Sequence, residues 1–306
     1  MKKTVCDLDC VDMSKPLPVL WLGNGLNRTF EGDSWEKLIM NAAKKCDNKL
    51  SFDEIKQLPS NMQIVAATKN KVDEEMKSIA EEMKQQGKDV ELQQFIQENI
   101  VLQNFHAIIT TNYTYEIEKA LDPQYSIYPA NPHRKISEDV KDSERRNMLY
   151  SFNNFVIDQQ KINIWHIHGE ACSPKTMIMD NYYYGTRLSK IQTYISKRMP
   201  VLKPAYREKL IFQPKSWIDY FLLGEVYVCG FGLDLSELDF WWLVCCKKKH
   251  FPDTKITIYE PDIKPEIKWM LDAYDVEVKT CNSTNDKSFY KEYYKKVFQE
   301  ICDINS

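Results

Sequence analysis

Short apolar runs alternate along the chain with longer stretches of helical periodicity. The runs are residues 18–23 (PVLWLG), 105–112 (FHAIITTN), 162–169 (INIWHIHG), 225–230 (EVYVCG), 254–260 (TKITIYE) and 276–281 (VEVKTC). Several are apolar at consecutive positions, the mark of strands covered on both faces in a parallel sheet. Helix-start signals follow them. Asp33 precedes Ser34-Trp35-Glu36, an N-cap with a glutamate placed to close the box. Ser236-Glu237-Leu238-Asp239 repeats that signal before a helix over 236–250, with Asp239 read as a cap partner. Pro265 opens a helix reaching Tyr274. Strand–turn–helix repetition predicts an α/β fold, a doubly wound, mostly parallel, Rossmann-like sheet.

Two regions break the rhythm and predict helical insertions. Residues 36–104 read as successive helices, and residues 185–222 read as helical but broken by Pro200, Pro204 and Pro214. The sheet core is then assembled from residues 1–35, 105–184 and 223–306. Residues 122–147, with Pro123, Pro129 and Pro132 among many charges, read as loop.

Composition narrows the function classes. The chain has 306 residues, 43% of them hydrophobic, enough for a sizeable core. Lys and Arg number 41 against 44 Asp and Glu, a net charge of −3, so no basic excess points to nucleic acid. No apolar run reaches the roughly 18 residues of a membrane span. The first residues turn acidic where a signal peptide needs an apolar stretch, so the expectation is a cytoplasmic protein with no membrane partner. Nine scattered cysteines without C-x-x-C spacing argue against a disulfide framework and against a cysteine metal site.

Glycine is scarce, nine in all, and Gly23, Gly25, Gly169, Gly230 and Gly232 fall where apolar runs end. Open α/β sheets bind ligands at the carboxyl ends of their strands. Gly23-Asn24-Gly25-Leu26-Asn27 is a G-x-G turn that could bring backbone N–H groups to a pyrophosphate, although Arg28 stands where the dinucleotide fingerprint has its third glycine. A tight turn without a ligand is an equal reading. Thr110-Thr111-Asn112 either ends a strand or presents an amide to sugar hydroxyls or water. His166 and His168 share a face if their segment is a strand. They are a metal pair, a buried structural pair, or a base at the ligand edge. No third ligand at metal spacing accompanies them, so His168, nearest the turn, is the candidate base and His166 is read as structural. Gly230-Phe231-Gly232-Leu233-Asp234 is a second glycine turn, and Glu260 ends a later strand, where an acid suits a ribose hydroxyl.

In order, GNGLN, TTNYT, HIHG and GFGLD resemble the Sir2 superfamily, and among it the Sir2-like domains of bacterial anti-phage defence proteins. GNGLNRTFEGDSWEKLI is similar to the glycine-rich turn and first helix of that group. The resemblance places Asn112 at the catalytic asparagine of the T-Q-N-I-D pattern and His168 at the catalytic histidine. The chain departs from the protein-deacylating sirtuins in several ways. No four-cysteine zinc module follows His168, Thr114 replaces the aspartate, and G-I-P-D-F-R is missing. The resemblance therefore implies NAD+ as substrate, no metal, and hydrolysis of the nicotinamide–ribose bond in anti-phage defence. Asn112 and His168 would be catalytic. Gly23, Asn24, Gly25, Asn27 and Thr111 would hold the phosphates or nearby ribose, and Gly230, Gly232, Asp234 and Glu260 the adenosine side. It further implies control by a partner protein, a phage-derived activator or homo-oligomerisation. The alternatives are an NAD-dependent deacylase and a non-catalytic NAD or ADP-ribose sensor.

Overall fold

Successive residues of one strand bury against opposite sides of the sheet. In the strand Pro18–Leu22, Val19 and Trp21 join one apolar cluster, and Leu20 and Leu22 join another. Val226 and Val228 against Tyr227 and Cys229 repeat the division in Glu225–Cys229. Consecutive apolar residues are what a sheet with helices on both faces demands. The computed structural model describes residues 7–30, 35–84, 89–101, 103, 105–125, 131–137, 148–157, 159–281 and 287–305.

Among these residues the strands are β1 (Val11–Asp12), β2 (Pro18–Leu22), β3 (Ala107–Thr110), β4 (Arg134–Ile136), β5 (Ser151–Ile157), β6 (Gln160–His166), β7 (Ile211–Phe212), β8 (Glu225–Cys229), β9 (Ile256–Tyr259) and β10 (Glu277–Lys279). An eight-stranded sheet runs β10-β9-β8-β2-β3-β6-β5-β4. Pairing is parallel from β10 to β6, and β5 is antiparallel to both its neighbours. β1 and β7 form a separate antiparallel pair. From β2 the chain moves one way through β3 and β6; it later returns to β8 on the other side and moves outward through β9 and β10. The reversal falls between β2 and β8, the switch point at which such sheets bind ligands.

The helices are α1 (Gly25–Thr29), α2 (Trp35–Lys45), α3 (Phe52–Ile55), α4 (Ser60–Ala67), α5 (Val72–Lys84), α6 (Val90–Ile96), α7 (Glu116–Leu121), α8 (Asn181–Glu208), α9 (Trp217–Leu223), α10 (Leu238–His250), α11 (Pro265–Ala273) and α12 (Lys287–Asn305). Helices α2 to α6 fill the stretch between α1 and β3. Leu38, Ile39, Ile64, Met76 and Ile79 build an apolar cluster there, and Ile178, Met179 and Tyr184 close it from the sheet side.

Within the stretch 122–147, read as loop, β4 forms an edge strand held by its antiparallel pairing with β5. Three further local expectations need correction. The helix read as broken at Pro200 and Pro204 is continuous there, since α8 passes through both; the break expected at Pro214 does fall between α8 and α9. Pro200 and Pro204 lie on the half-exposed or exposed side of α8, where the carbonyls they leave unpaired can meet water, while Ile191, Tyr194, Leu202 and Ala205 bury the other side. The box at Ser236 does not form: the Ser236 hydroxyl donates to Asp234 (2.7 Å), and Glu237 takes the N-cap position without a side-chain bond. β5 was not expected, because Asn153 and Asn154 interrupt its apolar pattern; its hairpin with β6 holds it. The cap expected at Asp33 and Ser34 lies outside the described residues. No helix among those described is long and apolar enough to cross a membrane.

Candidate active site

At the switch point two glycine turns are bonded to each other. β2 runs into Gly23-Asn24-Gly25, and β8 runs into Gly230-Phe231-Gly232. Gly23 N donates to the Cys229 carbonyl (3.0 Å), and Gly25 N donates to the Gly230 carbonyl (2.8 Å). Gly230 has φ +62°, where a side chain would be strained. A Cβ on Gly25 would fall 2.7 Å from both the Gly230 Cα and the Tyr294 hydroxyl of α12. These glycines are small so that two turns and a tyrosine can pack together. Gly232 is different, with nothing within 4 Å of the place its side chain would take.

Beside the turns opens a cavity of about 710 Å³. Asn24, Gly25, Thr111, Asn112, His168, Gly230, Gly232, Asp234 and Glu260 all line it, from positions spread over most of the chain. Gly23 and Asn27 were expected at the ligand but are not among its lining residues. Gly23 packs under Gly230, and Asn27 is buried within α1.

Asn112 follows the end of β3. The Thr110 hydroxyl donates to the Leu22 carbonyl (2.9 Å) and accepts from Asn112 N (3.1 Å). His166 Nδ1 lies 2.8 Å from the Asn112 carbonyl, and its Nε2 lies 2.7 Å from Glu118 Oε1. A carbonyl and a carboxylate only accept, so both ring nitrogens carry protons. Burial opposes that charge, but Glu118 outweighs it and the imidazole is pushed up to about 9. Asn112 Nδ2 donates to the Gly23 carbonyl (3.4 Å), while its Oδ1 is buried without a partner among the described residues. A buried acceptor left open on a cavity wall is costly unless a ligand or water completes it.

His168 does not share a face with His166. β6 ends at His166, and the chain turns sharply, with Gly169 N donating to the His166 carbonyl (3.2 Å). Gly169 has φ +93°, and a Cβ there would collide with the Thr176 backbone. The turn carries His168 toward α8 and α10. Its Nε2 lies 3.1 Å from Asp239 Oδ2 and 3.8 Å from Glu237 Oε2. The Tyr184 hydroxyl donates to Glu237 (2.8 Å), and its ring meets His168 edge-on at 5.4 Å. Arg187 Nε lies 2.7 Å from the same Asp239 oxygen. Burial would push the Asp239 carboxyl up; the charges of His168 and Arg187 outweigh it and hold it well below the usual carboxylate range.

The remaining polar groups are spread along the wall. Asp234 accepts from Ser236 N (2.8 Å) and from the Ser60 hydroxyl (2.7 Å), tying α4 to the β8 turn. Glu260, just past β9, has its carboxyl pushed up to about 7 by burial. Ligand atoms of His168, Glu237 and Asp239 lie within 4.8 Å of one another. Asp239 is already engaged there by Arg187, whose cation supplies the positive charge an ion would bring.

Two contributions escaped the sequence. The inserted helices supply Trp35, Leu38, Ser60, Asn61 and Met83 to the cavity wall, and α12 supplies Tyr290 and Tyr294. The insertions read as helical excursions packing over the ligand edge of the sheet, but no local pattern marks which of these side chains reach it. Asp239 was read as a cap partner, although an acid one place before the apolar Phe240-Trp241 pair was the available signal.

Residues 106–212 match the SIR2-like domain family. The match supports the Sir2 superfamily. It spans β3 to β7 and contains both Asn112 and His168, and the mostly parallel α/β sheet agrees with a Rossmann-like Sir2 fold. SIR2-like domains use NAD as substrate, which points to an NAD-dependent enzyme. No curated protein matches the chain.

Proposed function

We propose that the protein is an NAD+ glycohydrolase that cleaves the nicotinamide–ribose bond to nicotinamide and ADP-ribose. The observation that carries the reading is the presence, in the lining of one cavity, of an asparagine whose Oδ1 is buried without a partner among the described residues and a histidine backed by a carboxylate. Nicotinamide leaves as a neutral group, so departure needs little acid catalysis. The ribose passes through an oxocarbenium-like state, which oriented dipoles and a positioned water stabilise. Asn112 Oδ1 accepts from the water or a ribose hydroxyl and sets its place. His168 takes the proton. The first glycine turn, with Asn24, would lie toward the phosphates, and Gly230, Gly232, Asp234 and Glu260 toward the adenosine.

Water, not an acyl-lysine, is the proposed acceptor. Where deacylases carry a zinc module after the histidine, this chain has a short 3-10 turn, Pro174–Thr176, followed by α8. The defence setting is taken from the sequence resemblance. An unrestrained hydrolase would drain its own cell of NAD+, so the proposal includes a restraint lifted by a partner protein, a phage-derived activator or assembly of several copies.

The test is nicotinamide release from NAD+ by the purified protein, alone and with activators, beside His168→Ala and Asn112→Ala. Release without added peptide, lost in both variants while their melting curves hold, supports the proposal. Release that requires an acylated peptide supports the deacylase, and tight NAD+ binding with no release supports a sensor.

A further inference from the structure

Arg187 is a costly residue to bury. It is fully enclosed, its Nη1 and Nη2 have no hydrogen-bond partner among the described residues, and its Nε faces Asp239 at 2.7 Å without the alignment of a hydrogen bond. Its guanidinium carbon lies 5.3 Å from the centre of the Trp217 ring. Burial pulls it below its ordinary value despite Asp239. A guanidinium buried to stabilise a fold has its donors paired. Here the hydrogen-bonding capacity is left unused, and what the side chain does provide is positive charge beside one carboxylate. That carboxylate in turn accepts from His168.

We propose that Asp239, flanked by Arg187, is the positioning residue of the reaction: it fixes His168 as the tautomer with its proton on Nε2 and leaves Nδ1 as the base. A carboxylate can only accept, so Nε2 must be the protonated nitrogen. Among the described residues Nδ1 has no hydrogen-bond partner, and His168 lines the cavity. Glu237 does not compete for the ring, since it lies 3.8 Å away and accepts from Tyr184. The groups facing His168 are thus Glu237 and Asp239 from the start of α10, and Tyr184 and Arg187 from α8.

What Nδ1 does rests on the hydrolase reading. The proton of the attacking water passes to Nδ1, directly or through a ribose hydroxyl, as the water oxygen bonds to C1′. The electron pair of the breaking C1′–N bond goes to the nicotinamide nitrogen and neutralises the pyridinium. The imidazolium that results is already paired through Nε2 to Asp239, which stabilises it without becoming protonated.

The test is the nitrogen NMR spectrum of histidine-labelled protein at a pH where the ring is neutral, with His168→Ala assigning the signal. The expected result is protonated Nε2 and bare Nδ1 for His168. In Asp239→Asn the amide can donate to the ring, so the tautomer should shift toward Nδ1–H and nicotinamide release should fall about 10²–10⁴-fold. If Asp239→Asn does not fold because Arg187 is left unpaired, the double variant Asp239→Asn/Arg187→Met removes that charge and gives the same readout. A wild-type ring protonated at Nδ1 overturns the proposal, as does an unchanged tautomer in the folded variant. The spectrum needs no turnover. A protein that keeps the Nε2–H tautomer yet never releases nicotinamide therefore counts against the hydrolase reading alone.

Discussion

Behind Asn112, His166 has an acceptor at each ring nitrogen, the Asn112 carbonyl and Glu118, and is buried with both. Around His168 only Nε2 is engaged among the described residues, and the residue lines the cavity. The number of acceptors decides what each ring can do. An imidazole with two acceptors stays a cation through neutral pH, useful for holding a backbone. One with a single carboxylate behind it can take up and release a proton.

The largest effect should come from crossing the two. His168→Ala should lower nicotinamide release by about 10²–10⁴-fold, with a midpoint of denaturation near that of wild type. Glu118→Ala should do its damage in the opposite measurement. It strands the His166 cation in the interior, and breaking a buried pair typically costs about 3–5 kcal/mol. Urea unfolding should show that loss directly. Equal stability losses in the two variants would erase the distinction drawn between the histidines.

A smaller effect is expected from pH. His166 is raised in the folded protein to about 9, against an ordinary value near 6.5. A group so raised contributes its full stability below the unfolded value and loses it as pH climbs through the folded one. The span from 6.5 to 9 corresponds to about 3 kcal/mol. Unfolding free energy should therefore fall over that window in wild type, and His166→Gln should flatten the slope. A slope equally steep in His166→Gln would assign it to another group.

How much of this could be read in advance follows the same division between local and distant. The strand runs at 18–23, 105–112, 162–169, 225–230, 254–260 and 276–281 all lie in the parallel part of the sheet; burial on both faces leaves a local apolar signature in all but the last, the half-exposed edge strand β10. Asn112 and His168 were also visible, as polar residues at the ends of such runs. Asp239 was not, since its partner is 71 residues away and the acid looks locally like a cap. Nor was Arg187, which lies in a stretch read as helical but whose partner, Asp239, belongs to another helix far along the chain. The walls from α2, α4, α5 and α12 are contacts across the fold, and no periodicity within those helices encodes them. β5 was obscured by Asn153, whose Nδ2 donates to Glu118 (2.8 Å) and so serves the cluster behind Asn112 at the expense of the strand's apolar pattern.

The glycine turns offer the mildest test, one that separates packing from ligand approach. Gly25→Ala would press a methyl against the Gly230 Cα and the Tyr294 hydroxyl, each 2.7 Å away, so the turns must part. An overpacked site of that kind costs about 1–3 kcal/mol. Gly232 has open space and no left-handed φ, so Gly232→Ala should leave stability within about 1 kcal/mol of wild type. If its backbone is where a dinucleotide lies, the added methyl meets the ligand instead of the protein, and the KM for NAD+ should rise with little change in kcat. A Gly232→Ala enzyme with unaltered KM would move the ligand away from the β8 turn. That would leave Asn112 and His168 as the two fixed points from which its path must be traced.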